Sequence, residues 1–272
     1  MILSVCHLGE TPYREALALQ ERLVEARAAG ATGDWLLYPD HPPVLTVGRG
    51  GRPGSLIADA RTLGERGIEV FEVARGGDFT WHGPGQLVGY LICDLDTRQR
   101  DLRRFLRDIE RALMEALAAF GVPARRVPGR TGVWSEGEKI ASVGVAVRRW
   151  VSYHGFALNV APDLKFFDLI HPCGLRGIHM TSLESRLGDR APSLARAREV
   201  VAEAVARTFG YAGWAWAVPG PGGPAGSDAG DGPRWRGVDS GRSIEGPSRV
   251  TLRVRPAERE DPHVDIDRSG QS

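Results

Sequence analysis

The sequence predicts an α/β protein, and three observations carry that. Three stretches repeat apolar residues at helical spacing, several short runs read as strands, and the two kinds alternate along the first 218 residues. Composition agrees, since 272 residues at 42% hydrophobic and 25% charged can bury a sizeable globular core.

The elements follow in order. Thr11-Pro12 predicts a helix start, with a side-chain cap followed by proline at the first helical position; Tyr13, Ala16, Leu17, Leu23 and Val24 then keep helical spacing up to Gly30. Residues 35–38 and 44–47 read as strands split by Pro39-Asp40-His41-Pro42-Pro43. Residues 68–73 alternate as a strand, and 87–95 form a mostly buried one. Residues 101–120 predict an amphipathic helix whose apolar face is Leu102, Phe105, Leu106, Ile109, Leu113 and Leu117, ended by Gly121. Residues 122–127, 132–134, 139–147 and 153–160 give further strands, and 193–209 a last helix stopped by Gly210. From 219 to 233 ten of fifteen residues are glycine or proline, too little apolar surface to order itself. The expectation is therefore one folded domain over 1–218 and a mostly disordered tail over 219–272, with one alternating run at Val250, Leu252 and Val254.

Bulk properties exclude several classes. A net charge of +1 argues against a protein that coats nucleic acid or another polyanion. Residues 1–6 lack the charged start and apolar stretch of a signal peptide, and no run approaches the ~20 apolar residues of a membrane span. Three distant cysteines, Cys6, Cys93 and Cys173, suggest neither a disulfide framework nor a zinc site. A soluble, reducing, cytoplasmic setting is expected. Of 35 basic residues only Lys139 and Lys165 are lysines. Where Arg supplies every ordinary positive charge, a persisting lysine is a candidate for work that needs an amine able to lose its proton.

The densest chemistry lies at 75–86, which runs Arg75-Gly76-Gly77-Asp78-Phe79-Thr80-Trp81-His82-Gly83-Pro84-Gly85-Gln86. Glycines here expose main-chain N–H groups beside a few fixed polar side chains, a pattern suited to holding a ligand. Cys173 sits between Pro172 and Gly174 in a stretch that breaks both helix and strand, so its thiol is expected to be accessible, whereas Cys6 and Cys93 lie in apolar strand sequence. A thiol with pKa near 8.5 needs a base or cation beside it at neutral pH, and Lys139, His82, His154 and His171 are the candidates.

Three blocks together resemble the bacterial lipoyl(octanoyl) transferases: RGGDFTWHGPGQ at 75–86, GVWSEGEKIASVGVAVRRWVSYHGFALNV at 132–160 and FDLIHPCGLRGIHMTSL at 167–183. They come in that family's order and spacing, and the similarity spans most of 1–215. The resemblance implies an α/β (α+β type) fold with a mixed main sheet, a smaller sheet and flanking helices, similar to the biotin and lipoate protein ligase catalytic domain. It implies an acyl-accepting cysteine at Cys173 and a pKa-lowering lysine at Lys139. It further implies substrate binding by Arg75, Gly76, Gly77, Asp78, Phe79, Thr80, Trp81 and His82, by Ser142, Val143 and Gly144, and by Gly155, Phe156 and Ala157. Neither cofactor nor metal is implied. The implied donor is octanoyl-acyl carrier protein, and the implied acceptors are lipoyl domains of 2-oxoacid dehydrogenase E2 subunits and the glycine cleavage H protein. Trp81 stands where many members have Tyr, and His171 where an apolar residue is usual, departures expected to alter pocket shape or acyl length. Phe79, Val143, Phe156 and Ala157 are expected to line an apolar pocket; Arg103, Arg104, Arg107, Arg148 and Arg149 are candidates for steering an acidic carrier. An ATP-dependent ligase, a cysteine hydrolase and a non-catalytic acyl-binding module are the rival readings, and the Cys173–Lys139 pair favours the transferase over them.

Overall fold

A computed structural model describes residues 1–171, 177–220 and 223–225. Its centre is an eight-stranded mixed sheet in the order β11-β1-β2-β6-β10-β9-β8-β7. The strands are β1 (Ile2–Glu10), β2 (Trp35–Asp40), β6 (Gln86–Ile92), β7 (Arg125–Val127), β8 (Arg130–Ser135), β9 (Glu138–Arg148), β10 (Val151–Asn159) and β11 (Gly213–Trp216). β1 runs parallel to β2 and β11; every other neighbouring pair is antiparallel. A second sheet orders β4 (Glu69–Glu72), β3 (Val44–Val47) and β5 (Phe79–His82), with β3 parallel to β4 and antiparallel to β5. β12 (Val218–Gly220) and β13 (Gly223–Ala225) form a short hairpin.

Strand alternation divides the main sheet into two unlike faces. On β6, Leu87 and Leu91 join one core with Phe156 and Leu158 of β10, while Val88, Tyr90 and Ile92 join another with Ala157. The first core is closed by α3 (Leu102–Ala119) and α5 (Leu194–Thr208), whose Phe105, Ile109, Leu113, Val201 and Val205 are fully covered. The second is closed in part by α1 (Tyr13–Ala28), through Leu17, Leu23 and Val24. α2 (Ala60–Glu65), α4 (Leu183–Leu187) and a 3-10 turn at Leu164–Leu169 complete the helical elements used below. The small sheet has its own core of Leu45, Phe79, Trp81, Phe167 and Ile170.

The mixed main sheet, smaller sheet and outer helices match the expected fold class. Local differences are instructive. The cap of α1 is Pro12, without a side-chain bond, because the Thr11 hydroxyl donates back to the carbonyls of Leu8 and Gly9. The predicted helix at 101–120 is observed, capped by Asp101 accepting from the Arg104 N–H, but Leu102 lies exposed at its first turn, short of the core. β1, which carries Cys6, pairs on both sides near one edge of the sheet. The strands at 35–38 and 44–47 belong to different sheets, so the Pro-rich stretch between them is a sheet-to-sheet crossing. The run at Val250, Leu252 and Val254 lies outside the described residues.

Candidate active site

A cleft opens between the two sheets on the face not covered by α3 and α5. Its floor follows from residue size. Ser142 pairs with Ala157 and Gly144 with Gly155 across β9 and β10, so four small residues in register leave a bare strip of sheet. A larger residue has no room there: a Cβ on Gly155 would stand 2.3 Å from the carbonyl oxygen of Gly89. Val143 and Phe156, on the same strands, alternate to the other face and pack toward the α3–α5 core. Both still border the cleft, and Ala157 faces the cleft side.

The 75–82 segment forms the wall. The Gly76 N–H donates to the Val145 carbonyl, and Gly77 turns the chain at φ +85°. Arg75, buried, donates from Nη2 to the Thr46 carbonyl and hydroxyl at 2.8 Å and from Nη1 to the Gly76 carbonyl at 3.0 Å. The carboxylate of Asp78 accepts from the Ser55 hydroxyl and the N–H groups of Arg52 and Phe79, so this residue ties the wall to the 52–55 turn. Thr80 and His82 alternate toward the cleft, while Phe79 and Trp81 turn into the small-sheet core. Phe79 still borders the cleft. Trp81 does not; its ring stacks 4.9 Å from Phe166.

Lys139 stands at one end. β9 carries one extra residue opposite β8, where Val133 pairs with Ala141 but Trp134 with Lys139. That bulge lets Ile140 and Ala141 both enter the core and turns Lys139 to the cleft. Its side chain is 1% exposed, with the amine 5.9 Å above the Trp134 ring. Gly132, at φ +120°, is required beside it, since a Cβ there would lie 2.6 Å from Lys139 Cε. The Lys139 N–H donates to the His179 carbonyl and its carbonyl accepts from the Thr181 N–H, both at 2.9 Å; on the other flank the His171 N–H donates to the Ser55 carbonyl. Cys173 itself lies outside the described residues.

A hydrogen-bonded relay joins His82 to this end. His82 Nδ1–H donates to Gln86 Oε1 at 2.7 Å, Gln86 Nε2 to Asn159 Oδ1 at 3.0 Å, and Asn159 Nδ2 to the Thr181 carbonyl at 2.9 Å. Burial, together with nearby His41, drives the pKa of His82 down to about 3, so the ring is neutral with Nε2 an acceptor. His41, lowered to about 4 by burial, donates from Nδ1 to the Thr11 carbonyl and accepts from the Tyr90 hydroxyl at 2.7 Å.

The opposite end holds Tyr13, Tyr90 and His154. His154 pairs with Val145, six positions along β9 from Lys139, roughly 18–20 Å at strand rise. Simple alternation would send it to the α3–α5 face. Its φ of +57° breaks the alternation and lays the ring against Tyr153 and Tyr90, centroids 4.7 and 6.2 Å away. That backbone costs about 1–2 kcal/mol, and the His154 N–H is held by Gln20 Oε1 at 2.7 Å. Burial and then Arg75 push its pKa down to about 3.

Of the residues expected at the site, Lys139, Arg75–Thr80, His82, 142–144 and 155–157 border one cleft, and Trp81 lies apart. His171 lies on a separate hollow with Lys165 and His179. Of the five proposed steering arginines, Arg104 pairs with Asp108, Arg107 with Glu110, and Arg148 and Arg149 with Glu25, while Arg103 is exposed. Tyr13 and Tyr90 were not foreseen, because their apolar neighbours read as core; only Tyr90 falling opposite Gly155 would have signalled otherwise. Cys6 and Cys93 are buried, their thiols pushed up to about 12 by desolvation, and so inert. No three His, Cys, Asp or Glu side chains among the described residues converge to hold a metal. No helix among them is long and apolar enough to cross a membrane.

Comparison with known proteins places this cleft in a lineage. The octanoyltransferase of Geobacter sulfurreducens is 52% identical over 200 residues, covering 74% of this chain and 82% of that protein. That of Rubrobacter xylanophilus is 50% identical over 195 residues, covering 71% and 87%. Among solved structures, lipoate-protein ligase A bound with ATP superposes with a TM-score of 0.67 at 19% identity, covering 78% of this chain and 87% of that one. A putative lipoate protein ligase from T. acidophilum with bound lipoic acid gives 0.63 at 19% identity, covering 78% and 88%. At such identity these two speak for the fold alone. Residues 12–206 match the lipoyl protein ligase A/B catalytic domain, so the chain belongs to that family and, within it, to the octanoyltransferases, which are acyltransferases.

Proposed function

We propose that this protein moves an octanoyl group from octanoyl-acyl carrier protein to the target lysine of lipoyl domains, through an S-octanoyl intermediate on Cys173 with Lys139 as base. The observation that carries the reading is a buried amine, Lys139, closing one end of a cleft floored by small residues, its main chain bonded to His179 and Thr181. The catalytic domain is 1–218; the substrate-binding groups are the wall 75–80 with His82 and the floor 142–144 and 155–157.

The chemistry balances without ATP. The Cys173 proton passes to the Lys139 amine, the thiolate attacks the donor thioester, and the carrier's thiol leaves with that proton. Main-chain N–H groups of the glycine wall are suited to hold the oxyanion, where one donor contributes roughly 10²–10³ in rate. A lipoyl-domain lysine then attacks the thioester, Lys139 takes its proton, and the Cys173 thiolate leaves. The His82–Gln86–Asn159 relay ends on the Thr181 carbonyl, next to the strand bonds of Lys139, and so orients the base through the backbone. The acceptors are lipoyl domains of 2-oxoacid dehydrogenases and the glycine cleavage H protein, in the cytoplasm.

The test is intact-mass analysis after incubation with octanoyl-acyl carrier protein in the absence of ATP. One added octanoyl group on the wild type, missing from Cys173→Ala and discharged by an apo lipoyl domain, is expected. Modification of the lipoyl domain only from free octanoate plus ATP would sink the reading in favour of a ligase.

A further inference from the structure

We propose that Arg49 and Arg52 form the landing site of the donor, receiving the acidic surface of the protein that carries the octanoyl thioester. This rests on the octanoyl-transfer reading above and adds where its donor binds.

Both arginines belong to a second glycine-rich run, Gly48-Arg49-Gly50-Gly51-Arg52-Pro53-Gly54-Ser55. Main-chain bonds hold that run against the cleft wall. The N–H groups of Gly48, Arg49 and Gly50 donate to the carbonyls of Asp78, Arg75 and Gly77 at 3.3, 3.0 and 3.0 Å, and the Arg52 N–H donates to Asp78 Oδ1 at 3.2 Å. The fit is close, since a Cβ on Gly48 would stand 2.4 Å from the Gly77 carbonyl oxygen. Further on, the Ser55 carbonyl accepts from the His171 N–H at 2.7 Å, and the N–H groups of Ile57 and Ala58 donate to the Leu169 carbonyl at 2.9 and 3.1 Å. The run thus reaches from the wall of the cleft to His171, two residues before Cys173 in the chain. A carrier that delivers a thioester to Cys173 lands beside it.

The charges suit an acidic visitor. Residues 49–52 are exposed, and neither guanidinium has a hydrogen-bond or ion-pair partner among the described residues. Arg104, Arg107, Arg148 and Arg149 differ in this, each being paired with a carboxylate. Arg75 and Asp78, to which the run is bonded, are buried and opposite in charge, so the surface keeps its two positive charges. A fixed backbone beneath both side chains limits what must be ordered when a partner arrives, and the guanidinium fork matches surface carboxylates. Charges at such a rim act on encounter, weaken with salt and leave the chemical step alone.

The test follows formation of the octanoyl-enzyme from two donors: octanoyl-acyl carrier protein, and the octanoyl thioester of N-acetylcysteamine, which has no protein surface. The wild type is compared with a double variant, Arg49→Glu with Arg52→Glu, and with the conservative pair Arg49→Lys with Arg52→Lys. Charge reversal should lower kcat/KM for the carrier about tenfold or more at ~0.02 M salt and less than about threefold at ~0.5 M, while the lysine pair stays near wild type. The small thioester should serve all three proteins equally. An undiminished rate with the carrier at low salt, or an equal fall with both donors, would overturn the proposal. Should the small thioester react too slowly to follow, salt decides: a loss of the same size at both concentrations counts against it. Discharge of the octanoyl-enzyme to an apo lipoyl domain should not change, and slowing confined to that step would give the patch to the acceptor instead. A wild type acylated by neither donor fails the functional reading, and this inference falls with it.

Discussion

The two faces of the eight-stranded sheet are built from the same strands and do different work. On one, Leu87, Leu91, Phe156 and Leu158 meet Ile109, Leu113 and Val205 in an apolar core. On the other, β9 and β10 bring buried Lys139 and His154, and the small sheet with its flanking segments brings Arg75 and His82, around an open strip of small residues. A strand's period of two is enough to keep these apart, so β9 and β10 serve core and cleft from alternate positions. Ionisable groups sit where packing was relinquished, and the cost of burying them is met by hydrogen bonds to main chain and to one another.

The sharpest way to break that contrast is to change one face and ask whether the other responds. On the cleft face, Lys139→Met should lower kcat/KM for octanoyl transfer by about 10²–10⁴, with stability reduced by no more than about 1 kcal/mol, since Met fills the same space without a buried amine. Rate assays and denaturant melts on one preparation separate the two effects; a melt collapsing with the rate would make Lys139 structural. On the core face, Ile109→Ala removes a fully buried side chain from α3 and should destabilise by about 2–5 kcal/mol while kcat below the melting range stays near wild type.

A third effect is acid sensitivity, and it belongs to the cleft side. His41, His82 and His154 sit at about 4, 3 and 3 when folded, against an ordinary 6.5. The unfolded chain therefore binds more protons below pH 6.5, so stability is full above that value and falls as pH drops toward 3. Each histidine contributes a slope of up to about 1.4 kcal/mol per pH unit. Melts between pH 7 and 4.5 should show the fall, and His154→Gln should remove its share; an unchanged slope would mean that His154 is solvated.

Much of this was legible in the residues. α3 and α5 followed from apolar spacing, and the glycine-rich 75–82 segment with Lys139 stood out by composition alone. What escaped had physical reasons. β5 hid inside the glycine segment because Phe79-Thr80-Trp81-His82 is only four residues long. The bulge that turns Lys139 into the cleft leaves no mark in sequence, since Ile140 and Ala141 are ordinary strand residues. Val143 and Phe156 looked like pocket lining because they are apolar, yet parity sends them to the opposite core. Trp81 looked like a site residue by its neighbours and is core for the same reason. Tyr90 went the other way, a residue in a continuously buried strand that reaches the cleft because Gly155 opposite has no side chain.

The floor of the cleft is not a loop or a lid; it is the middle of a sheet, with β9 and β10 each paired on both sides. Strands so placed open only when the whole domain opens. Fidelity and robustness are thereby uncoupled: a variant weakened at its helices or its edges loses molecules to unfolding before any survivor begins to accept the wrong chain. Ageing or heat would thin the population of this enzyme without making it careless.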